Sequence, residues 1–159
     1  MTEISGNIDS LKDALKAYKT ALRASADIIA RQVGETGAEA AMAVYDATPY
    51  TGSVDAEVHL EQHGQGQYVI VASGRTVLFL EFGAGVTYNF IPHPQAAYFG
   101  YGPETYPGQK HAGDPRGWFI SKSRGGGHTF GNPASMAMYN TSKALREKIP
   151  EIAMGVFGK

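Results

Sequence analysis

Five histidines, and one carboxylate set in an apolar run, are the residues of this 159-residue chain with most claim to chemistry. His59-Leu-Glu-Gln-His63 places two imidazoles four positions apart with Glu61 between them. A zinc-hydrolase helix needs the glutamate directly after the first histidine and both histidines one helical turn apart. Here the glutamate stands two residues on, and the surrounding residues alternate apolar and polar as a strand does. Residues four apart on a strand are separated by roughly 13 Å, too far to share an ion held through bonds of about 2 Å. The pair therefore reads as solvated histidines on a strand face. His93, His111 and His128, with Glu104 and Asp114 near them in sequence, follow no metal-ligand spacing. Gly83-Ala-Gly85 lacks the third glycine of a dinucleotide loop, no phosphate loop is present, and no serine sits in a nucleophile elbow. The expectation is a chain that is not an enzyme and uses no cofactor and no metal.

Glu81 is harder to dismiss. Thr76-Val-Leu-Phe-Leu-Glu-Phe-Gly83 is apolar throughout its interior except for this carboxylate. A run so short and apolar, closed by Gly83-Ala-Gly85, reads as a strand buried on both faces. A carboxylate inside it must be paired, or lie at a mouth or interface. Two partners suggest themselves: an arginine, or backbone N–H groups of a turn at Thr51-Gly52, which Glu81 would anchor within the chain.

The elements that would position these residues follow from periodicity. Ile8, Leu11, Leu15, Tyr18, Leu22, Ile29 and Val33 recur at helical spacings, and an alanine-rich piece, 38–46, follows Gly34 and Gly37. One long helix, with the two glycines as a possible kink, is expected to end before Pro49. Thr48-Pro-Tyr-Thr-Gly-Ser53 is a turn. Val54, Ala56, Val58 and Leu60 then alternate with Asp55, Glu57, His59 and Glu61, the signature of a half-buried strand. His63-Gly-Gln-Gly66 turns the chain into a second strand, 67–73, and the Glu81 run would be the third of an antiparallel meander. Residues 84–131 lack periodicity and hold Tyr88, Tyr98, Tyr101, Tyr106, Trp118 and Phe119, residue types favoured at interfaces. They read as a long loop or arm, with a short strand at 118–120 and a flexible tip at 123–128. Asn132-Pro133 starts a last helix, asparagine as cap and proline at the first position, which would end at Pro150. The fold class is thus α+β, a single domain over 1–159 with N- and C-terminal helices packed on the meander.

Composition limits the function classes. Apolar residues make up 43% of the chain, enough for a core, and cysteine is absent, so neither disulfides nor thiolate metal sites contribute. No apolar run reads as a signal peptide or membrane span, and a soluble protein is expected. Residues 1–109 carry 6 Lys and Arg against 12 Asp and Glu, and residues 110–159 carry 8 against 3. Halves of opposite sign can complement each other within a fold or between copies. The overall charge of −1 is not that of a general DNA binder.

In order and spacing, the layout resembles the tailed-phage neck, or tail-completion, proteins, also called tail-component or minor-capsid proteins. That family joins an N-terminal helix, an "Ala-Pro-x-x-Thr-Gly" turn, a hairpin, a "Tyr/Phe-x-Glu-Phe/Tyr-Gly" strand end, a variable loop and a proline-introduced C-terminal helix. The matching residues are Ala47-Thr-Pro49 with Thr51-Gly52, Phe79-Leu-Glu81-Phe82-Gly83, and Asn132-Pro133-Ala-Ser-Met136. The turn departs from the pattern: Thr48 is inserted before Pro49, and only Tyr50 separates that proline from Thr51.

The resemblance implies a structural virion protein, made in the host cytoplasm. It would form a ring, expected to be six-fold, in the head-to-tail connector of a long-tailed bacteriophage. Its partners would be further copies of itself, head-closure or connector proteins on one side, and a tail terminator or tail tube protein on the other. Genome DNA would pass through the lumen without sequence readout, and no membrane is involved. An acidic patch of Asp55, Glu57 and Glu61 meeting a basic patch of Lys143, Arg146 and Lys148 would set the register between subunits. The alternatives are a tail terminator ring, a nucleic-acid-binding module using the basic C-terminal segment, and a metal hydrolase using the loop histidines.

Overall fold

A computed structural model describes residues 8–50, 53–87, 91–101, 111 and 113–158. The periodic N-terminal segment is one uninterrupted helix, α1, Ile8–Ala47. Gly34 and Gly37 lie within it, where the missing Cβ atoms leave room for the hairpin and the last helix. A Cβ on Gly37 would meet Ile70 Cδ1 and Leu145 Cδ1, each at 2.5 Å, and one on Gly34 would run into Leu60. The alternating segment forms β1, Glu57–Gly64, paired antiparallel with β2, Gln67–Ser73, through a turn at 65–66. In this register Val58 faces Ala72 and Leu60 faces Ile70, and these side chains point towards α1. The tip of the hairpin is tied to the same helix: Gly66 N donates to Asp27 Oδ1 at 2.6 Å, and the Tyr68 hydroxyl reaches that carboxylate.

The Glu81 run is not the third strand of a meander. Val77–Phe82 is a short helix, α2, and the sheet stops at two strands. Its buried residues, Val77, Leu80 and Glu81, fall at helical spacing. Thr76 opens it, bonded to Asp55 through both its backbone and its hydroxyl. A short apolar run does not distinguish a buried strand from a buried helical turn by periodicity.

Segment 84–131 holds ordered elements among its described residues. Turns fill 94–100, and β3, Trp118–Phe119, pairs antiparallel with β4, His128–Thr129. The tip at 123–128 closes this small hairpin, with a 3₁₀ turn at Lys122–Arg124. The last helix, α3, Ala137–Phe157, starts four residues later than Asn132-Pro133 proposes and runs through Pro150 rather than stopping there. Asn132 is instead buried and paired with Ala84. α3 packs along the second half of α1, with Ala137 beside Tyr45 and Leu145 beside Gly37, so the two helices are antiparallel. Tyr45, Val77, Leu80 and Ala137 form the core, where α1, α2 and α3 meet. Among the described residues, no helix is long and apolar enough to cross a membrane.

Candidate functional site

Glu81 lies on the buried face of α2, with only 6% of its surface exposed. Four groups satisfy its carboxylate. The Tyr45 hydroxyl donates to Oε2 at 2.9 Å, and Met138 N donates to the same oxygen at 3.0 Å. Tyr139 N donates to Oε1 at 3.0 Å, and His93 Nε2 lies 3.3 Å from that atom. Gln95 N donates to His93 Nδ1 at 3.1 Å, so Nδ1 is the accepting nitrogen and Nε2 carries the proton towards Glu81. Burial, with the Glu81 carboxylate beside it, pushes the Tyr45 hydroxyl far above its ordinary range and keeps it protonated as a donor.

The geometry explains why a charge is tolerated there. α3 has Met136 at its N-cap, in a left-handed conformation and with no side-chain cap bond. Its second and third amides would otherwise lack partners, and they carry the positive end of the helix dipole. Glu81 supplies the missing cap from another helix. The sequence points instead to an arginine or to the backbone N–H groups of the turn at Thr51-Gly52. The donors are those of α3, joined by a tyrosine and a histidine in place of the arginine; Thr51 and Gly52 lie outside the described residues.

The backbones around Glu81 are bonded just as closely. The last carbonyls of α2 have no partners within so short a helix, and the segment before α3 takes them. Ser135 N donates to Leu80 O at 2.8 Å, Met136 N to Glu81 O at 3.2 Å, and Asn132 Nδ2 to Phe79 O at 2.8 Å. Ala84 and Asn132 exchange two backbone bonds of 2.9 Å. Gly83, at φ +79°, makes this approach possible: a Cβ there would stand 2.8 Å from Ala134 N. Pro49 and Pro133 line one shallow hollow together with Ala47, Thr48 and Ser135. Phe82, next to Glu81, stacks on Tyr101 at 4.6 Å between ring centroids and tilts against His93 at 4.4 Å. The 93–101 segment thereby closes over the carboxylate.

The candidate interface residues divide into two groups. Tyr98 and Phe119 are 86% and 81% exposed, and Ile91, Phe99 and Phe130 are exposed as well. Trp118 and Tyr101 are half-buried, and Tyr106 lies outside the described residues. Asp55 is bound to Arg75 within the chain, and the guanidinium holds its carboxyl below the usual range. Glu57 is exposed. Glu61 sits between the two strand histidines, with His63 Nε2 at Oε2 and His59 Nε2 at Oε1, each 3.1 Å away, and these bonds lower its pKa. Lys143, Arg146 and Lys148 are exposed on α3, and Lys143 Nζ lies 5.5 Å over the Tyr139 ring.

The loop histidines are held apart in different settings. His93 belongs to the Glu81 cluster, while His128 is exposed with its ring edge-on to Phe119 and Phe130. Among the described residues, no three His, Asp or Glu side chains gather as a metal site. Sequence reasoning missed Tyr45 and His93 as partners of Glu81. Their signal is faint: a tyrosine on the apolar face of an alanine-rich helix, and a histidine flanked by prolines in an aperiodic segment. Compared with protein-family models, with curated proteins and with solved structures, the chain matches none.

Proposed function

We propose that the chain is a subunit of a ring in the head-to-tail connector of a long-tailed bacteriophage, a virion part that joins the DNA-filled head to the tail. The observation that carries this reading is the convergence on Glu81. Phe79–Gly83 and Asn132–Met136, two separate segments of the resemblance, bond to each other, and Pro49 lines the same hollow as Pro133. Residues that define the resemblance thus act together as one structural device. The device uses the carboxylate's bonding capacity to fix α3 against α1 and α2, which suits a load-sharing subunit better than a reaction centre.

Other features support the same reading. Exposed aromatic side chains at Tyr98, Phe99 and Phe119 offer anchors for neighbouring proteins. Exposed surfaces of opposite charge allow copies to meet through two different patches, as closure of a ring requires. Partners on this reading are further copies of the chain, head-closure or connector proteins, and tail terminator or tail tube proteins, with genome DNA crossing the lumen. Labelling intact particles with an antibody against this chain tests the placement. Label at the head–tail junction is expected; label confined to the far end of the tail, or particles without the chain, overturns it.

A further inference from the structure

The first half of α1 projects beyond the other described residues. The hairpin tip meets the helix at Asp27, and every described residue from 8 to 24 is exposed. This spur carries Ile8, Leu11, Leu15, Tyr18 and Leu22 on one stripe, between 41% and 66% exposed. An isolated helix of that length is marginal in water, and a sustained apolar stripe at alternating three- and four-residue steps is the pattern of a helix with a partner. Beside the stripe run Lys12, Lys16, Lys19 and Arg23, a continuous cationic edge. Lys12 is paired with Asp9 at 3.2 Å on the surface, and the other three have no ion-pair partner among the described residues.

A surface complementary to this spur exists on the same chain. The outer face of the hairpin presents Val69 and Val71, with Glu61 opposite Val69 and Glu57 on the same face beyond His59. It is apolar along β2, while along β1 it carries the carboxylates of Glu57 and Glu61, the latter bonded to His63 and His59. The eight residues of β1 extend about 26 Å, and the 17 residues of the spur about 25 Å. The basic residues of α3 fit this face less well, because Glu147 and Glu151 interrupt Lys143, Arg146 and Lys148.

We infer that the spur of one copy docks across the outer face of the β1–β2 hairpin of a second copy, its apolar stripe on Val69 and Val71 and its cationic edge against Glu57 and Glu61. The inference rests on the ring reading for the second copy and names the surfaces that build it. The contact is heterologous, since spur and hairpin face are different patches, so repetition leads to a closed ring or an open chain. Antiparallel pairing of two spurs is disfavoured by the same edge, which would set Lys12 and Lys19 against their equivalents.

The absence of cysteine makes a clean test available. Two full-length variants, Leu15→Cys and Val69→Cys, one of them carrying a size tag, are mixed at high concentration and treated with a short bis-maleimide. The expected product joins one copy of each variant, and Leu15→Cys alone gives no cross-linked dimer. Lys12→Glu with Lys19→Glu on the Leu15→Cys chain is expected to cut the yield at least about tenfold. Glu57→Lys with Glu61→Lys on the Val69→Cys chain is expected to restore it, which separates lost charge matching from lost folding. Oligomers that form without the spur–hairpin product, or a spur–spur product, overturn the docking and leave the ring standing. Chains that stay single at high concentration overturn the docking and count against the ring itself.

Discussion

Removing the Glu81 carboxylate leaves the Tyr45 hydroxyl and the amides of Met138 and Tyr139 without their acceptor in a buried site. Glu81→Ala is therefore expected to cost about 2–4 kcal/mol in denaturant unfolding, whereas Tyr45→Phe, which removes one donor, costs about 1 kcal/mol. Equal losses from the two would contradict the capping role. Gly83→Ala places a side chain at φ +79° beside Ala134 N and is expected to cost about 1–3 kcal/mol by the same measurement. Asp114 gives a pH signature. Arg116 donates to it from its backbone and guanidinium and lowers its pKa from 3.8 to about 2. A carboxylate depressed in the folded state contributes stability above its unfolded pKa and loses it as pH falls through the folded value. An NMR titration should find the Asp114 midpoint near 2 and, in Arg116→Ala, a return towards 3.8.

Helix α1 and the β1–β2 hairpin are legible in the sequence because their apolar periodicities are long and regular, although the positions that mark the first half of α1 are exposed. Seven apolar positions mark α1, and four alternating pairs mark β1. Helix α2 is not legible as a helix, because six residues of mostly apolar character satisfy either period. The charge does not decide between them: Glu81 shares a face with Val77 and Leu80 at helical spacing, and with Val77 and Phe79 at strand spacing. The start of α3 misleads for a related reason. Asn132 and Pro133 have the chemistry of a cap, but Asn132 spends its side chain on Phe79 O, and the cap comes from Glu81, distant in sequence. Pro150 misleads at the other end. It lies inside α3, where its ring removes one helical hydrogen bond without ending the helix. Pro150→Ala should raise stability by about 1–3 kcal/mol; an unchanged or lowered midpoint in thermal unfolding would argue that the helix stops at the proline.

At the scale of the whole molecule, the charge asymmetry and the exposed aromatics were visible in composition, but their arrangement was not. The structure spends part of the negative half internally, with Asp55 on Arg75 and Glu81 on α3. It leaves Glu57 and Glu61 on the hairpin and a cationic edge on the spur. The apolar residues of the spur look like core in the sequence, since periodicity reports a face without saying what covers it. Proteins in which α3 is locked to α1 and α2 while α1 projects freely are suited to assembly through the projecting part. The most direct test of the connector assignment is negative-stain microscopy of lysates from a phage lacking this gene. The account predicts DNA-filled heads and finished tails lying apart, rejoined when the gene is supplied. Normal infectious particles would contradict it.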